Sequence, residues 1–281
     1  MSNPRPAPAR LVVGDCVDAI QDVAIGSCAL VLADPPYEGV VSANWDQVKD
    51  YMAFSRAWLA EAVRALRPGG ALLVYGSPER SWIARLTVLL EDELGMELVQ
   101  NLSWVYNQGG GSRVSSMRKY AVQHELLIWF QKPGGERTYN AEAGVEHYAE
   151  EDRAVALAKG VGRVTDASLD RGRPPRSFLD FARENSRSKE RQHGTHPSMK
   201  PLDLCAHLIK LHTNRGDRVY VPFVGSGSEL LSAAKLGRVA IGAEVNSAYA
   251  AIVGRRFEAH GLCLKLERPD APEQTKRPRT E

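Results

Sequence analysis

The run Asp34-Pro35-Pro36-Tyr37 places a carboxylate, two prolines and a phenol directly after an apolar stretch. Such a turn can hold a planar amino group. An amine conjugated to a ring is a poor nucleophile, because its lone pair is delocalised. A carboxylate can accept one of its hydrogens and a backbone carbonyl the other, which draws the lone pair toward an electrophile. The two prolines stiffen the turn and remove N–H donors that would compete. Tyr37 can stack on the ring face, worth about 1–3 kcal/mol when the ring is a nucleobase. The plainer alternative is a proline-rich turn after a strand.

A second block, Phe223-Val224-Gly225-Ser226-Gly227-Ser228, follows another apolar run far downstream. Glycine has no Cβ, so a Gly-Ser-Gly turn between strand and helix lets backbone approach a ligand closely. The helix that follows would present free N–H groups and a partial positive charge. The block is not a Walker A loop, and it lacks the third glycine of the dinucleotide fingerprint. Glu244 ends the next apolar run, about 20 residues on, where an acid can accept both hydroxyls of a ribose. It can equally cap a helix before Asn246. His196-Pro197-Ser198-Met199-Lys200-Pro201 precedes a further helix. Lys200 there could hold a carboxylate or be a surface lysine.

The elements that must position these residues alternate between strands and helices. Short strands are expected at Leu11–Val13, Cys28–Leu32, Ala71–Tyr75, Leu98–Tyr106, Glu125–Phe130, Val219–Phe223 and Val239–Ala243. Helical spacing of apolar residues marks Val48–Leu66, Ser81–Leu90, Leu202–Leu211, Glu229–Leu236 and Ala248–Phe257. Pro68-Gly69-Gly70 reads as the stop of the first helix. This alternation predicts an α/β fold with a doubly wound, mostly parallel sheet. Ligands in such sheets bind at the carboxyl ends of the strands. Both motifs follow strands, so both could open onto one crevice. From about Lys132 to Thr195 the pattern decays into Gly, Pro, Arg, Asp and Glu, which predicts an insertion. The expected division is residues 1–131, an insertion at 132–195, a second half at 196–267, and a disordered tail at 268–281.

With 43% hydrophobic and 25% charged residues, the 281-residue chain has ordinary globular composition. No run approaches the ~18 apolar residues of a membrane span. The N-terminal MSNPRPAPAR lacks the apolar core of a signal peptide, so a cytoplasmic location is expected. Cys16, Cys28, Cys205 and Cys263 have no C-x-x-C spacing and are expected to be isolated thiols. His193, His196, His207 and His212 fit no common metal-ligand spacing, and no metal is expected. A net charge of +2 neither requires nor excludes nucleic acid.

Taken together, the blocks resemble the β group of amino-group DNA methyltransferases, which use S-adenosylmethionine. In that group the DPPY block comes first, the target-recognition region lies in the middle, and the H-P-x-x-K-P and F-x-G-x-G blocks come last. Asp34–Tyr37, His196–Pro201 and Phe223–Gly227 follow that order, and the resemblance covers roughly residues 11–130 and 176–262. It implies a Rossmann-like methyltransferase fold with permuted motif order and a middle insertion for target recognition. It also implies methyl transfer to the exocyclic amine of a flipped base. Asp34 then resembles the catalytic acid, held in the Pro35-Pro36 turn with Tyr37 as its stacking partner. Phe223, Gly225, Ser226 and Gly227 resemble the loop around the methionine part of the cofactor, and Glu244 the ribose ligand. Asp15 and Cys16 resemble the residues bordering the cofactor's adenine. Ser198 and Lys200 resemble contacts to its carboxylate, and Asp34 borders the cofactor as well. The family usually has Asp where this chain has Val221. An Asp at the first position of the DPPY block favours adenine N6 over cytosine N4.

A base-flipping enzyme needs positive charge along the DNA backbone. Gly109–Arg113, with Arg118 and Lys119, reads as a basic loop expected to touch double-stranded DNA near the flipped base. The Arg171–Arg176 and Arg183–Arg191 stretches, including Arg173, Arg176 and Arg187, read as phosphate contacts. The plainer alternative for both is a solvated charged surface. By resemblance alone, a homodimer and a cognate restriction enzyme are possible partners. Methylation of RNA or of a protein amide, and a catalytically silent DNA-binding protein, are the rival functions.

Overall fold

The computed structural model describes residues 9–38, 47–106, 118–159, 165–185, 188–194 and 196–268. In chain order the elements are β1 (Ala9–Val13), α1 (Cys16–Ala19), β2 (Cys28–Ala33), α2 (Tyr51–Ala65), β3 (Leu66–Gly76) and α3 (Trp82–Val88). Next come β4 (Glu97–Val105), β5 (His124–Gln131), α4 (Glu150–Lys159), α5 (Asp166–Asp170) and β6 (Phe178–Asp180). The last are α6 (Leu202–His212), β7 (Arg218–Val221), α7 (Ser228–Lys235), β8 (Val239–Glu244), α8 (Ser247–Ala259) and β9 (Leu264–Glu267). The strands form one sheet in the order β6-β4-β5-β3-β2-β7-β8-β1-β9. Only the β3–β5 and β4–β5 pairs are antiparallel.

Strand residues alternate between two cores, as a period of two demands. Leu11, Leu30, Leu32, Leu73 and Tyr75 join one cluster with Leu204 and Leu208 of α6, Leu230 of α7 and Phe257 of α8. Val12, Val31, Ala33, Leu72 and Val74 join the other with Ile20 at the end of α1, Trp58 and Leu59 of α2, and Leu86 of α3. Helices therefore cover both faces, which is why β2 and β3 read as unbroken apolar runs. Asp50 starts α2 by accepting the Ala53 N–H at 3.0 Å, and Tyr51, Ser55, Trp58, Leu59 and Ala62 form its buried stripe.

The site follows from the middle of the sheet. β2 and β7 run parallel, with Leu30 opposite Val219 and Val31 opposite Tyr220. In that register the chain leaves β2 at Asp34 beside the point where it leaves β7 at Pro222-Phe223. From β2 it crosses through α2 to β3 on one side, and from β7 through α7 to β8 on the other. This is a topological switch point, where diverging loops open a crevice.

Two sequence expectations need correction. The Pro68-Gly69-Gly70 stop lies inside β3, which starts at Leu66 immediately after α2. Gly69 sits at φ +77°, and a Cβ there would lie 2.1 Å from the Glu136 carbonyl oxygen, so only glycine fits this crossing. The second helix ends at Val88 and continues as a π turn over Leu89–Glu93. Where the sequence shows only a decayed pattern, the segment 132–195 contains α4, α5 and β6, and β6 extends the sheet beside β4; its role as an insertion is untouched by this. All four cysteines are unpaired, and among the described residues no helix is long and apolar enough to cross a membrane.

Candidate active site

Asp34 follows the last residue of β2, and the Pro-Pro turn brings Tyr37 back over it. Tyr37 Oη donates to Asp34 Oδ1 at 2.6 Å and lies 3.2 Å from Glu125 Oε2. Lys200 Nζ donates to Asp34 Oδ2 at 2.7 Å and reaches Glu125 Oε2 at 3.1 Å. Lys200 is only 2% exposed, and its ammonium lies 4.8 Å from the ring centre of Tyr75. Burial opposes its charge, but the carboxylates of Asp34 and Glu125 outweigh that and hold its pKa above the usual lysine value. Burial first, then Asp34 and Glu125, push the Tyr37 phenol well above its ordinary range, so it remains a donor. The result is a carboxylate with both oxygens anchored, facing an open cleft.

The cleft occupies roughly 1070 Å³ including its open mouth. Its wall carries Asp34, Pro35, Pro36 and Tyr37 on one side and Phe223, Gly225, Ser226 and Glu244 on the other. Asp15, Cys16, His196 and Ser198 also line it. Two motifs far apart in sequence thus share one cavity. Glu244 Oε2 accepts the Gly225 N–H at 2.7 Å and Oε1 the Asn246 N–H at 2.8 Å. Burial raises its pKa while those two N–H bonds lower it. Each oxygen keeps a lone pair for a hydroxyl. Gly225 has φ +52° and Gly227 φ +87°, so the loop takes left-handed turns that glycine permits. Phe54 and Trp58 of α2 hold Phe223, with ring centres at 5.8 and 5.2 Å. Val245, 67% exposed, adds an apolar surface at the cleft. His196 packs edge-on against Tyr249 at 4.4 Å and accepts the Ser198 N–H at Nδ1. Burial, and then the Lys200 charge, lower its pKa to about 4, so the ring is neutral near pH 7.

Residues 28–255 match the N6_N4_Mtase family of DNA methylases. The chain belongs to this family. It is 28% identical over 255 residues to the type II methyltransferase M.HpaI of Haemophilus parainfluenzae, covering 89% of this chain and 74% of that protein. Among solved structures, the cytosine-N4-specific PvuII DNA methyltransferase superposes with a TM-score of 0.68 at 18% identity, covering 90% and 89% of the two chains. TTHA0409 of Thermus thermophilus, solved in complex with S-adenosylmethionine, gives 0.62 at 24% identity, covering 94% and 99%. The last two likenesses establish the fold.

The other expected site residues of this DNA methyltransferase are spread over several environments. Lys200 does not border the cleft wall; its ammonium is taken up by Asp34 and Glu125. Asp15 caps α1, accepting the Val17 N–H at 2.8 Å, while it also borders the cleft. Val221 is fully buried at the end of β7. Arg173 packs over Tyr148 at 4.1 Å, Arg176 pairs with Glu146 at 2.7 Å, and Lys119 pairs with Glu79. Arg118 is exposed, and Arg113, Arg187 and the Gly109–Gly111 run lie outside the described residues.

Three residues escaped the sequence reading. Glu125 lies at the start of β5, and a lone acid before an apolar strand was the available signal. Glu229 borders the cleft from the first turn of α7. Arg256, 1% exposed on α8, donates to the Ser226 carbonyl at 2.6 Å and to Glu190 at 2.7 Å, tying the glycine loop to the segment that precedes His196.

Proposed function

We propose that this methyltransferase methylates double-stranded DNA site-specifically, on the exocyclic amine of a flipped base, with adenine N6 as the first assignment. S-adenosylmethionine supplies an electrophilic methyl group on a sulfonium. The observation that carries the reading is the shared cavity. The amine-holding turn at Asp34 and the glycine loop at Gly225 face each other across the switch point. The cavity fits the donor: Glu244 has two free lone-pair directions for ribose hydroxyls, and Phe223 and Val245 offer apolar walls for its adenine. Asp15 and Cys16 border the same end, and Ser198 and Ser226 the other.

Asp34 does the positioning. Its two oxygens are fixed by Tyr37 and Lys200, so the carboxylate need not reorganise when it accepts an amino hydrogen. The Pro35 carbonyl is the candidate acceptor for the second hydrogen. With Lys200 donating to Asp34 at 2.7 Å, the carboxylate orients the amine, which keeps its protons until the new N–C bond forms. Nitrogen then carries positive charge, its acidity has risen, and one proton passes to water through the Asp34 carboxylate. The contribution is orientation and charge stabilisation.

Within this reading, residues 132–195 form the target-recognition segment. Arg113, Arg118, Lys119, Arg173, Arg176 and Arg187 are the phosphate-contacting set, with Arg173 exchanging Asp152, 3.8 Å away, and Arg176 exchanging Glu146 for DNA. A restriction enzyme of the same specificity and self-association are the partner assignments. Protection of methylated DNA from digestion, and sedimentation of the full chain, test them.

The functional test is nucleoside mass spectrometry on unmethylated duplex DNA incubated with protein and S-adenosylmethionine. N6-methyladenine is expected, and Asp34→Ala should abolish it while leaving cofactor binding largely intact. N4-methylcytosine would replace the target base and keep the site. Activity only on RNA or protein, or donor binding without any product, would overturn the reading.

A further inference from the structure

Glu229 is the second residue of α7, directly behind the glycine loop. It is 3% exposed, lines the same cleft as Asp34 and Ser226, and its Oε1 has no hydrogen-bond partner. A buried acceptor left unsatisfied is costly and calls for a donor. The local charges point the same way. Half-buried Asp34 and buried Glu125 and Glu229 put three carboxylates around one buried ammonium, and Lys200 already serves the first two. The site holds more negative than positive charge and suits a cation. Burial first, and then the charge of Asp34, push the Glu229 carboxyl up to about 7, as expected of an acid whose counter-ion is missing.

Resting on the function proposed above, we propose that Glu229 binds the α-ammonium of the cofactor's methionine end. The orphaned oxygen selects that group. A sulfonium carries charge but no N–H, whereas an ammonium offers three donors. The ribose hydroxyls already have Glu244 at the opposite end of the glycine loop. The start of α7 adds a dipole that favours the ionised carboxylate.

The test is calorimetric titration of the full chain and of Glu229→Gln with three ligands. These are S-adenosylmethionine, its demethylated thioether product S-adenosylhomocysteine, and 5′-methylthioadenosine, which lacks both the amino and the carboxyl group. Glu229→Gln should weaken the first two about tenfold or more, and leave the third unchanged. Weakening of S-adenosylmethionine alone would put Glu229 against the sulfonium and overturn the assignment. Equal weakening of all three, or of none, would also overturn it. A wild-type chain that binds no S-adenosylmethionine would sink the proposed function itself, a distinguishable failure. Should Glu229→Gln not fold, the wild type suffices. The charged and titratable groups around Glu229 are Asp34 after β2, Tyr75 on β3, Lys200 and Cys205 beside and on α6, and Arg256 on α8. At pH 6.5 an incoming ammonium should expel roughly half a proton or more, read as a buffer-dependent binding enthalpy. No proton release would refute the contact.

Discussion

Replacing Lys200 with methionine isolates what the buried ammonium does. The side chain keeps a similar length and stays among the rings of Tyr37, Tyr75 and Trp104, so packing changes little. What disappears is the cation 2.7 Å from Asp34 and 3.1 Å from Glu125. Tyr37 has one hydroxyl proton and cannot donate to both carboxylates at once. Two buried like charges then share one donor. Removing one partner from a buried ion pair costs about 3–5 kcal/mol.

The sign follows from linkage. In the variant the folded-state carboxylate pKa rises above its unfolded value. Stability is therefore retained at low pH and lost as pH rises through the new folded value. Lys200→Met should unfold in urea much like wild type near pH 5 and fall behind it by pH 8. The acid limb of kcat/KM should move upward as Asp34 becomes harder to ionise. Adding Glu125→Gln should recover stability at pH 8, because it removes the second charge. An equal stability deficit at pH 5 and pH 8, with an unmoved acid limb, would refute this reasoning and leave Lys200 a packing residue.

Two further perturbations test the loop and the core. Gly227→Ala forces a side chain at φ +87° with its Cβ 3.0 Å from both γ carbons of Val253, so a loss of about 1–3 kcal/mol in thermal unfolding is expected, with weaker cofactor binding; unchanged stability would show that the loop can relax. His212 lies edge-on to Trp129 at 4.4 Å, and burial first, then the charges of His207 and Arg137, lower its pKa to about 3. An unfolded histidine takes up its proton near pH 6.5, so this group removes stability as pH falls below that, roughly 2 kcal/mol by pH 5. His212→Phe should flatten the wild-type loss between pH 7 and 5 by that amount, and parallel stability curves would rule the mechanism out.

How legible the molecule was in its sequence depended on where the information lay. β2 was readable because six consecutive residues, Cys28 to Ala33, are buried on both faces and end at a polar turn. α4 was not, because Glu150, Glu151 and Asp152 open it, and its apolar residues run consecutively over 154–158 rather than at helical spacing. β6 has three residues with only Leu179 buried, so no alternation could show itself. Pro68-Gly69-Gly70 misled because the same residues that stop a helix also allow the close crossing beneath Glu136. In the site, Asp34 announced itself through neighbours within four residues. Its partner Lys200 lies 166 residues away, and whether that ammonium faces a ligand or a protein carboxylate depends on packing alone. Glu125 and Glu229 are single acids in apolar segments, and a lone acid carries no pairing information until the sheet brings its neighbours together.

The permuted motif order has a physical explanation in the sheet. The crevice exists because β2 and β7 are hydrogen-bonded neighbours whose following connections diverge. Nothing in that geometry refers to which strand comes first in the chain. β1 returns to pair with β8, Val13 opposite Glu244, so the N-terminal strand completes the cofactor half although it precedes the catalytic half in sequence. The Gly14 N–H bonds the Glu244 carbonyl at 3.0 Å, which fixes Asp15 and Cys16 beside the glycine loop. Cutting the chain at one connection and joining it at another leaves these strand neighbours, and therefore the cavity, unchanged. The order of the blocks identifies the subgroup, while the chemistry depends only on the adjacency of β2 and β7.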